Sequence, residues 1–246
     1  MRNKRKKRRK GSIAVAIIYV AVLCFCVISA ISTLKKGKEK KEIIDIPDSL
    51  IQLKENNPEA ENFVDDYNEE KDLYSQIDIS GEVSKGTIPL FIQWDKRWGY
   101  KEYGDDFFAV TGCGPTCLSM VYACLTGKSD MNPYEIAQKA EEEGYYVDGI
   151  GTSWDMMTGL AAELGLNGHE VVFDKENIIQ TLNNDEPIIC VMGPGDFTTT
   201  GHFIVLTGVD SNGDIIVHDP NSIKRSKKRW SIDDIMKQTK NLWSYQ

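Results

Sequence analysis

The sequence predicts an α+β domain over residues 87–246, with N-terminal helices packed on a C-terminal antiparallel sheet. Three observations predict it. Helix caps and helix-length apolar patterns crowd the first half of this stretch. Apolar runs of strand length crowd the second half. Two of those runs are joined by Asp210-Ser211-Asn212-Gly213-Asp214, a strong turn signal. In order along the chain, residues 88–93 read as extended. Residues 114–126 read as a helix, with Pro115 near its first turn and Gly127 just past its end. Asn132-Pro133 caps a second helix that reaches Glu143, and Ser153 caps a third over 154–164 that Gly165 closes. Residues 169–173 form a short strand, and Asp174 caps a helix running to Asn183. Pro187 opens the apolar strand 188–192. Residues 202–209 and 215–219 are the two strands of the hairpin. Residues 229–231 and 242–245 read as edge strands around a helix at 232–240.

Charge divides the chain. Of 246 residues, 29 are Lys or Arg and 37 are Asp or Glu, a net charge of −8. Residues 1–41 hold 13 of the basic residues and a single acid, Glu39. The remainder is strongly acidic, which argues against nucleic-acid binding by the folded part, since that needs a basic footprint. Six cysteines in this length are too few for a disulfide-built miniature fold.

The basic head reads as a topogenic signal. Residues 2–10 carry eight Lys or Arg, and the 19 residues 13–31 follow without a charge, Pro or Gly. At about 1.5 Å per residue such a helix is close to the roughly 30 Å hydrocarbon core. The denser basic cluster lies on the N-terminal side, so the positive-inside rule places residues 1–11 as a cytoplasmic tail, 12–33 as a transmembrane signal anchor and the rest outside. A cleaved signal peptide is the rival reading, but Ala30 with Ile28 two before it makes a poor cleavage site. Leu23-Cys24-Phe25 before Cys26 likewise does not suit lipidation. Residues 34–86 read as a charged stalk, with short helical pieces around 58–76. Its part from 42 to 86 has 13 acidic and three basic residues.

The chemistry gathers in three places. Thr111-Gly112-Cys113-Gly114-Pro115-Thr116-Cys117 puts Cys113 where a loop enters a helix. Unpaired N–H groups and the helix dipole there favour an anion, so a thiolate is stabilised. Glycines at 112 and 114 would let a substrate backbone approach closely. A small buried residue in a helix cap is the plainer reading of the same motif. Cys117 and Cys124 share the face of Cys113 and read as core packing. A Cys124–Cys190 bridge is permitted outside the cell and not required. No zinc-ligand spacing occurs, so no metal or organic cofactor is implied. The second place is His202, at the head of an apolar strand. The third is His218-Asp219-Pro220-Asn221, at the end of the next strand. Cys, His and Asp in that order match papain-like thiol proteases, with Asp in the place of Asn. Cys113 would attack a carbonyl carbon, His202 would take its proton, and Asp219 would hold the imidazole tautomer. His218 is the weaker candidate base, because alternation turns it away from Asp219. His169, beside an Asn-Gly turn, reads as non-functional.

Gln93-Trp94-Asp95-Lys96-Arg97-Trp98, Gly112-Cys113-Gly114-Pro115-Thr116-Cys117-Leu118-Ser119-Met120, Gly201-His202-Phe203-Ile204-Val205 and Asp219-Pro220 together carry a resemblance. Over residues 86–246 the chain resembles the stand-alone members of the bacteriocin-leader (double-glycine) cysteine peptidases, the thirty-ninth cysteine peptidase family. The resemblance implies a papain-like fold, a peptide or protein substrate and the triad Cys113, His202 and Asp219. It also implies that Gln93 supplies a side-chain oxyanion donor. Transporter-fused members keep that Gln closer to the Cys, and no transporter segment follows here, so a double-glycine leader is not implied as substrate. Trp154, Thr200 and Gly201 are candidate substrate contacts. An amidase or transpeptidase of the cell wall or a surface protein, and a catalytically silent binding module, are the other readings.

One geometric requirement follows from the hairpin. An ideal two-residue turn at Asn212-Gly213 would pair Leu206 with Asp219 and leave His202 four residues away, about 13 Å at strand rise. A bulge, strong twist or looser turn must close that gap.

Overall fold

The computed structural model describes residues 45–246. The expected tail, the span 12–33 and the first part of the stalk lie outside the described residues. Among the described residues no helix is long and apolar enough to cross a membrane.

The rest of the expected stalk is a packed layer. Helix α1 (Asp48–Asn56), a 3-10 turn at Pro58–Ala60, α2 (Glu61–Asp65) and α3 (Tyr67–Glu70) follow one another closely. Leu50 and Leu53, then Ala60, Phe63, Val64 and Tyr67, bury together against Tyr100 and Ala109. The second group falls at i, i+3, i+4 and i+7, the stripe of one helical face. Phe63 stacks on Tyr100 with ring centroids 4.1 Å apart. Lys96 then ties the layer down through Asp66, at 2.6 Å, and Glu70, at 3.4 Å. The short helical pieces expected around 58–76 are there, but residues 48–70 pack rather than form a stalk, because two apolar side chains of α1 and the stripe of four that follows bury together despite the acidic average.

Beyond this layer comes a small hairpin, β1 (Glu102–Tyr103) and β2 (Asp106–Phe107), turned at Gly104. Helix α4 (Phe108–Thr111) runs directly into α5 (Cys113–Thr126). Every residue of α5 from Gly114 to Cys124 is buried, so it is a core helix apolar on all sides. Gly127, with φ 71°, ends it in the left-handed conformation that spares a Cβ. The Asn132 side chain caps α6 (Pro133–Glu142), accepting from the N–H groups of Tyr134 and Glu135. A second hairpin follows, β3 (Tyr146–Val147) and β4 (Gly151–Thr152). The third helix does not run unbroken over 154–164. It is a 3-10 turn at Trp154–Met157 and then α7 (Gly159–Glu163). Gly159 sits hard against Tyr145, whose hydroxyl would lie 2.2 Å from an added Cβ. Tight packing at a weak helix former therefore marks the break.

A six-stranded sheet carries the rest. Its strands are β5 (Gly168–Glu170), β6 (Ile188–Met192), β7 (His202–Val209), β8 (Ile215–His218), β9 (Arg229–Trp230) and β10 (Thr239–Tyr245). The order is β5-β10-β6-β7-β8-β9 and every neighbouring pair is antiparallel. The last strand was expected at an edge but lies inside, between β5 and β6. Its residues from Leu242 to Tyr245 are all buried, so partners on both sides satisfy its backbone. Residues 88–93 join no ladder, although the Gln93 N–H donates to the Pro220 carbonyl at 2.8 Å. One sheet face, with Ile189, Val191, Phe203, Val205, Trp243 and Tyr245, shares a core with α5. The other face packs under Ile178 and Leu182 of α8 (Lys175–Asn183) and Ile232 and Ile235 of α10 (Ile232–Gln238). Between β8 and β9 lies the short α9 (Ile223–Lys227).

The β7–β8 hairpin closes the expected gap in two steps. Val209 pairs with Ile215 across a five-residue loop rather than a two-residue turn. The register then slips between Leu206 and Gly208, leaving Thr207 as the extra residue of a bulge. Past the bulge Val205 pairs with His218. Asp219 is thereby brought opposite Ile204, two residues from His202 and about 7 Å along the strand.

The packed N-terminal layer has a direct stability consequence. Leu50→Ala removes a fully buried side chain and should cost roughly 2–5 kcal/mol. Urea unfolding of the full chain measures this, and an unchanged midpoint would return residues 45–70 to the status of a stalk.

Candidate active site

Cys113 is the first residue of α5, and Gly112 is the corner between α4 and α5, its N–H donating to the Phe108 carbonyl at 2.8 Å. Thr116 braces the corner, its hydroxyl donating to the Gly112 carbonyl at 2.7 Å. The expected reason for the flanking glycines does not hold. A Cβ at Gly112 would meet the Phe108 ring at 2.5 Å, and one at Gly114 would meet the Thr152 side chain at 2.9 Å. Both glycines admit neighbours from the fold itself, so close packing accounts for them without a substrate.

His202 opens β7, opposite Met192 at the end of β6. It is 6% exposed, and its Nε2 lies 2.8 Å from Asp219 Oδ1. That contact uses Nε2, while His202 and the Cys113 thiol are close enough for each to shift the other's ionisation. Burial raises the thiol pKa, but the His202 hydrogen bond and charge, with the N–H groups of Phe203 and Gly114, outweigh it and hold Cys113 below its ordinary value. Burial disfavours the imidazolium too. Asp219 and the thiol overcome that, and His202 is pushed up to about 9. The two shifts favour the same charged pair, a thiolate beside an imidazolium.

Asp219 is fully buried. Burial alone would raise its pKa, yet His202 and Arg225 hold it below the usual carboxylate range. Oδ1 accepts from His202 and, at 2.8 Å, from the Asn221 N–H. Oδ2 accepts from Arg225 Nε on α9 at 2.5 Å. Ser226 Oγ accepts from the Asp219 N–H at 2.8 Å. Asp219 thus has both oxygens engaged, as a buried carboxylate requires. Arg225 is the residue that sequence reasoning missed. It lies in the run Lys224-Arg225-Ser226-Lys227-Lys228, where nothing sets it apart from its basic neighbours. The helix cap Ser222, whose Oγ accepts from the Arg225 N–H at 3.0 Å, was the only legible hint.

The other candidates fall as follows. Gln93 is buried at 3% exposure but does not line the cleft that holds Cys113. Its Nε2 donates to the Ala109 carbonyl at 2.7 Å and reaches the Val110 carbonyl at 3.5 Å. Its Oε1 has no protein partner. The side chain therefore holds the back of α4, one turn before Cys113. His218 donates through Nδ1 to the Pro89 carbonyl at 3.1 Å, and burial lowers its pKa. His169 Nε2 lies 3.1 Å from Ser244 Oγ. Neither of these histidines lines the cleft. Cys113, Cys117, Cys124 and Cys190 are all unpaired, and burial raises the pKa of the latter three. No cluster that could hold a metal ion occurs among the described residues.

A cleft of about 610 Å³ opens over Cys113 and His202. Trp154, Thr200 and Gly201 all line it, as does Thr152. Trp154 is 46% exposed and rests edge-on against Trp243. Two walls come from segments without a sequence signal, Ile150–Thr152 from the β3–β4 hairpin and Asp105–Asp106 from the first hairpin. Thr152 also bonds Tyr103 Oη at 3.0 Å, and Tyr103 is wholly buried beneath it.

Comparison with known proteins adds three findings. The peptidase domain of Streptococcus ComA, described as a bi-functional ABC transporter involved in a quorum sensing pathway, is similar in structure at 22% sequence identity and a TM-score of 0.42. That similarity covers 55% of this chain and 89% of the ComA domain. No curated protein matches the chain. The model of the Peptidase_C39 like family matches residues 85–246, well over half of the sequence and the whole of the site described above. The chain belongs to the Peptidase_C39 like family.

Proposed function

We propose that this chain is a cysteine peptidase that hydrolyses peptide or related amide bonds through an acyl-thioester on Cys113. The observation that carries this reading is the polar line from the buried Asp219 through His202 to a thiol at the head of α5, under an open cleft. In the first step Cys113 Sγ bonds to the carbonyl carbon, and the C–N bond breaks after His202 Nδ1 gives its proton to the leaving nitrogen. In the second step His202 takes a proton from water, whose oxygen displaces Sγ and releases the acid. Asp219 holds Nε2–H throughout, so the tautomer that places Nδ1 at sulfur is kept.

The developing oxyanion needs donors aimed at it. The unpaired N–H groups at the start of α5 are one source. We assign the second to Gln93, whose amide is engaged by the Ala109 and Val110 carbonyls and would have to turn from them toward the cleft when substrate binds. A peptide or protein substrate accords with the family. The exposed Trp154 and Ile150 suit an apolar side chain, and Asp105 and Asp106 disfavour an acidic one. The basic cluster at 2–10 and the uncharged run 13–31 support a tether at residues 12–33, with the folded part outside the cell.

Three measurements test the reading. A thiol-directed activity probe should label the wild type and Cys117→Ala, and labelling should vanish in Cys113→Ala; labelling that survives loss of Cys113 would refute the assignment. The pH dependence of kcat/KM should be bell-shaped. Its lower limb follows ionisation of a thiol held below its ordinary value, and its upper limb follows loss of the His202 proton near 9. A single rise at the pKa of an unperturbed thiol would count against the ion pair. Finally, Gln93→Ala should lower kcat by about 10²–10³ with little change in KM. A variant that only melts earlier, with kcat retained, would make Gln93 a packing residue.

A further inference from the structure

Asp219 is held in a loop, and that loop is not held by the family-matched stretch alone. Residues 45–84 lie outside the match, yet two of their side chains reach across to the loop from Asp219 to Arg225. Asn57 Nδ2 donates twice to Asn221, to its carbonyl at 2.7 Å and to its Oδ1 at 2.9 Å. Asn57 Oδ1 meanwhile accepts from the Glu59 N–H at 3.1 Å, which fixes the 3-10 turn carrying both residues. Glu59 accepts from the Ser222 hydroxyl through Oε1 and from the Lys224 N–H through Oε2. The Lys224 N–H belongs to the first turn of α9, where a carboxylate is favoured. Asn57 is 8% exposed and Ser222 only 1%, so the Asn57–Asn221 and Ser222–Glu59 bonds are partly buried, whereas the Lys224–Glu59 bond is exposed.

The Asn57 contact is one bond away from the carboxylate, and the Glu59 contact two. Asn221, gripped by Asn57, donates its N–H to Asp219 Oδ1. Ser222, gripped by Glu59, caps the turn that carries Arg225, which donates to Asp219 Oδ2. Trp94 adds a third hold, its Nε1 donating to the Asn221 carbonyl at 3.3 Å.

We propose that Asn57 and Glu59 are positioning residues for the peptidase centre: they clamp the 219–225 loop so that Asp219 keeps its His202 and Arg225 contacts, and His202 keeps its place at Cys113. This rests on the triad reading above. Neither residue touches substrate. Their effect passes through Asp219 to His202, so it falls on the reacting geometry and not on substrate contact.

The test is the alkylation rate of Cys113 by iodoacetamide against pH, followed on its own peptide by mass spectrometry in the full-length protein, together with kcat and KM. The titratable and charged groups around the thiol–imidazole pair are Asp219 beside His202, Arg225 of α9 on the other oxygen of Asp219, Cys117 of α5 and Tyr103 of β1. Asn57→Ala/Glu59→Gln should move the alkylation inflection up toward that of an ordinary thiol. It should lower kcat on the order of 10- to 100-fold, with KM within about twofold. Leu50→Ala, which loosens the same layer and leaves both polar grips in place, should lower the melting temperature without moving the inflection. If the double variant does not fold, Asn57→Ala alone is read in the same way. A folded variant with the wild-type inflection and kcat overturns the clamp. An ordinary inflection in the wild type itself instead removes the triad reading, and the clamp with it.

Discussion

The site depends on one carboxylate kept ionised where no water reaches it. An isolated charge at the position of Asp219 would cost several kcal/mol in desolvation. Here that cost is offset by two cations on opposite oxygens, His202 on Oδ1 and Arg225 on Oδ2, with the Asn221 N–H as a third partner. The pairing has a chemical consequence. With Arg225 always charged, Asp219 stays an anion even when His202 is neutral. The histidine can therefore cycle between imidazole and imidazolium without stranding a charge or a vacancy behind it.

The rest of the fold can be understood as the means of bringing three distant residues to that carboxylate. Cys113 comes from the head of a helix whose remaining length is core, His202 from the first residue of an inner strand, and Asp219 from just past the end of its neighbour. All three stand where a regular element begins or ends. Backbone groups are unpaired there and can serve an ion, while the element behind gives rigidity. The cleft walls come instead from short hairpins, which contribute shape without bearing the reactive groups.

Much of this was legible in the sequence, for identifiable reasons. Asn132, Ser153 and Asp174 cap where their side chains said they would, because a cap is a local event. The need for an irregular hairpin followed from counting residues between His202 and Asp219, and the loop and the bulge at Thr207 meet it. What failed was either non-local or averaged away. The stripe Ala60, Phe63, Val64 and Tyr67 was present, but the acidic composition around it hid a helical face that Tyr100 and Ala109 cover. The glycines at 112 and 114 answer to Phe108 and Thr152, one of them 38 residues away in sequence and visible only in space. Arg225 was lost among other bases for the same reason. The final strand looked peripheral because it ends the chain, whereas its pairing with both β5 and β6 puts it inside the sheet.

The β7–β8 hairpin also acts as a ruler. Its tip, Asp210–Asp214, is a polar surface loop of the kind that ordinarily tolerates insertion and deletion. This one does not stand free of the chemistry. Each residue added to or taken from the tip or the bulge displaces Asp219 by one step against His202. A one-residue slip also reverses the face on which a side chain lies. The tip should therefore vary in residue type while keeping its length, so the site reaches into a loop that touches none of its atoms.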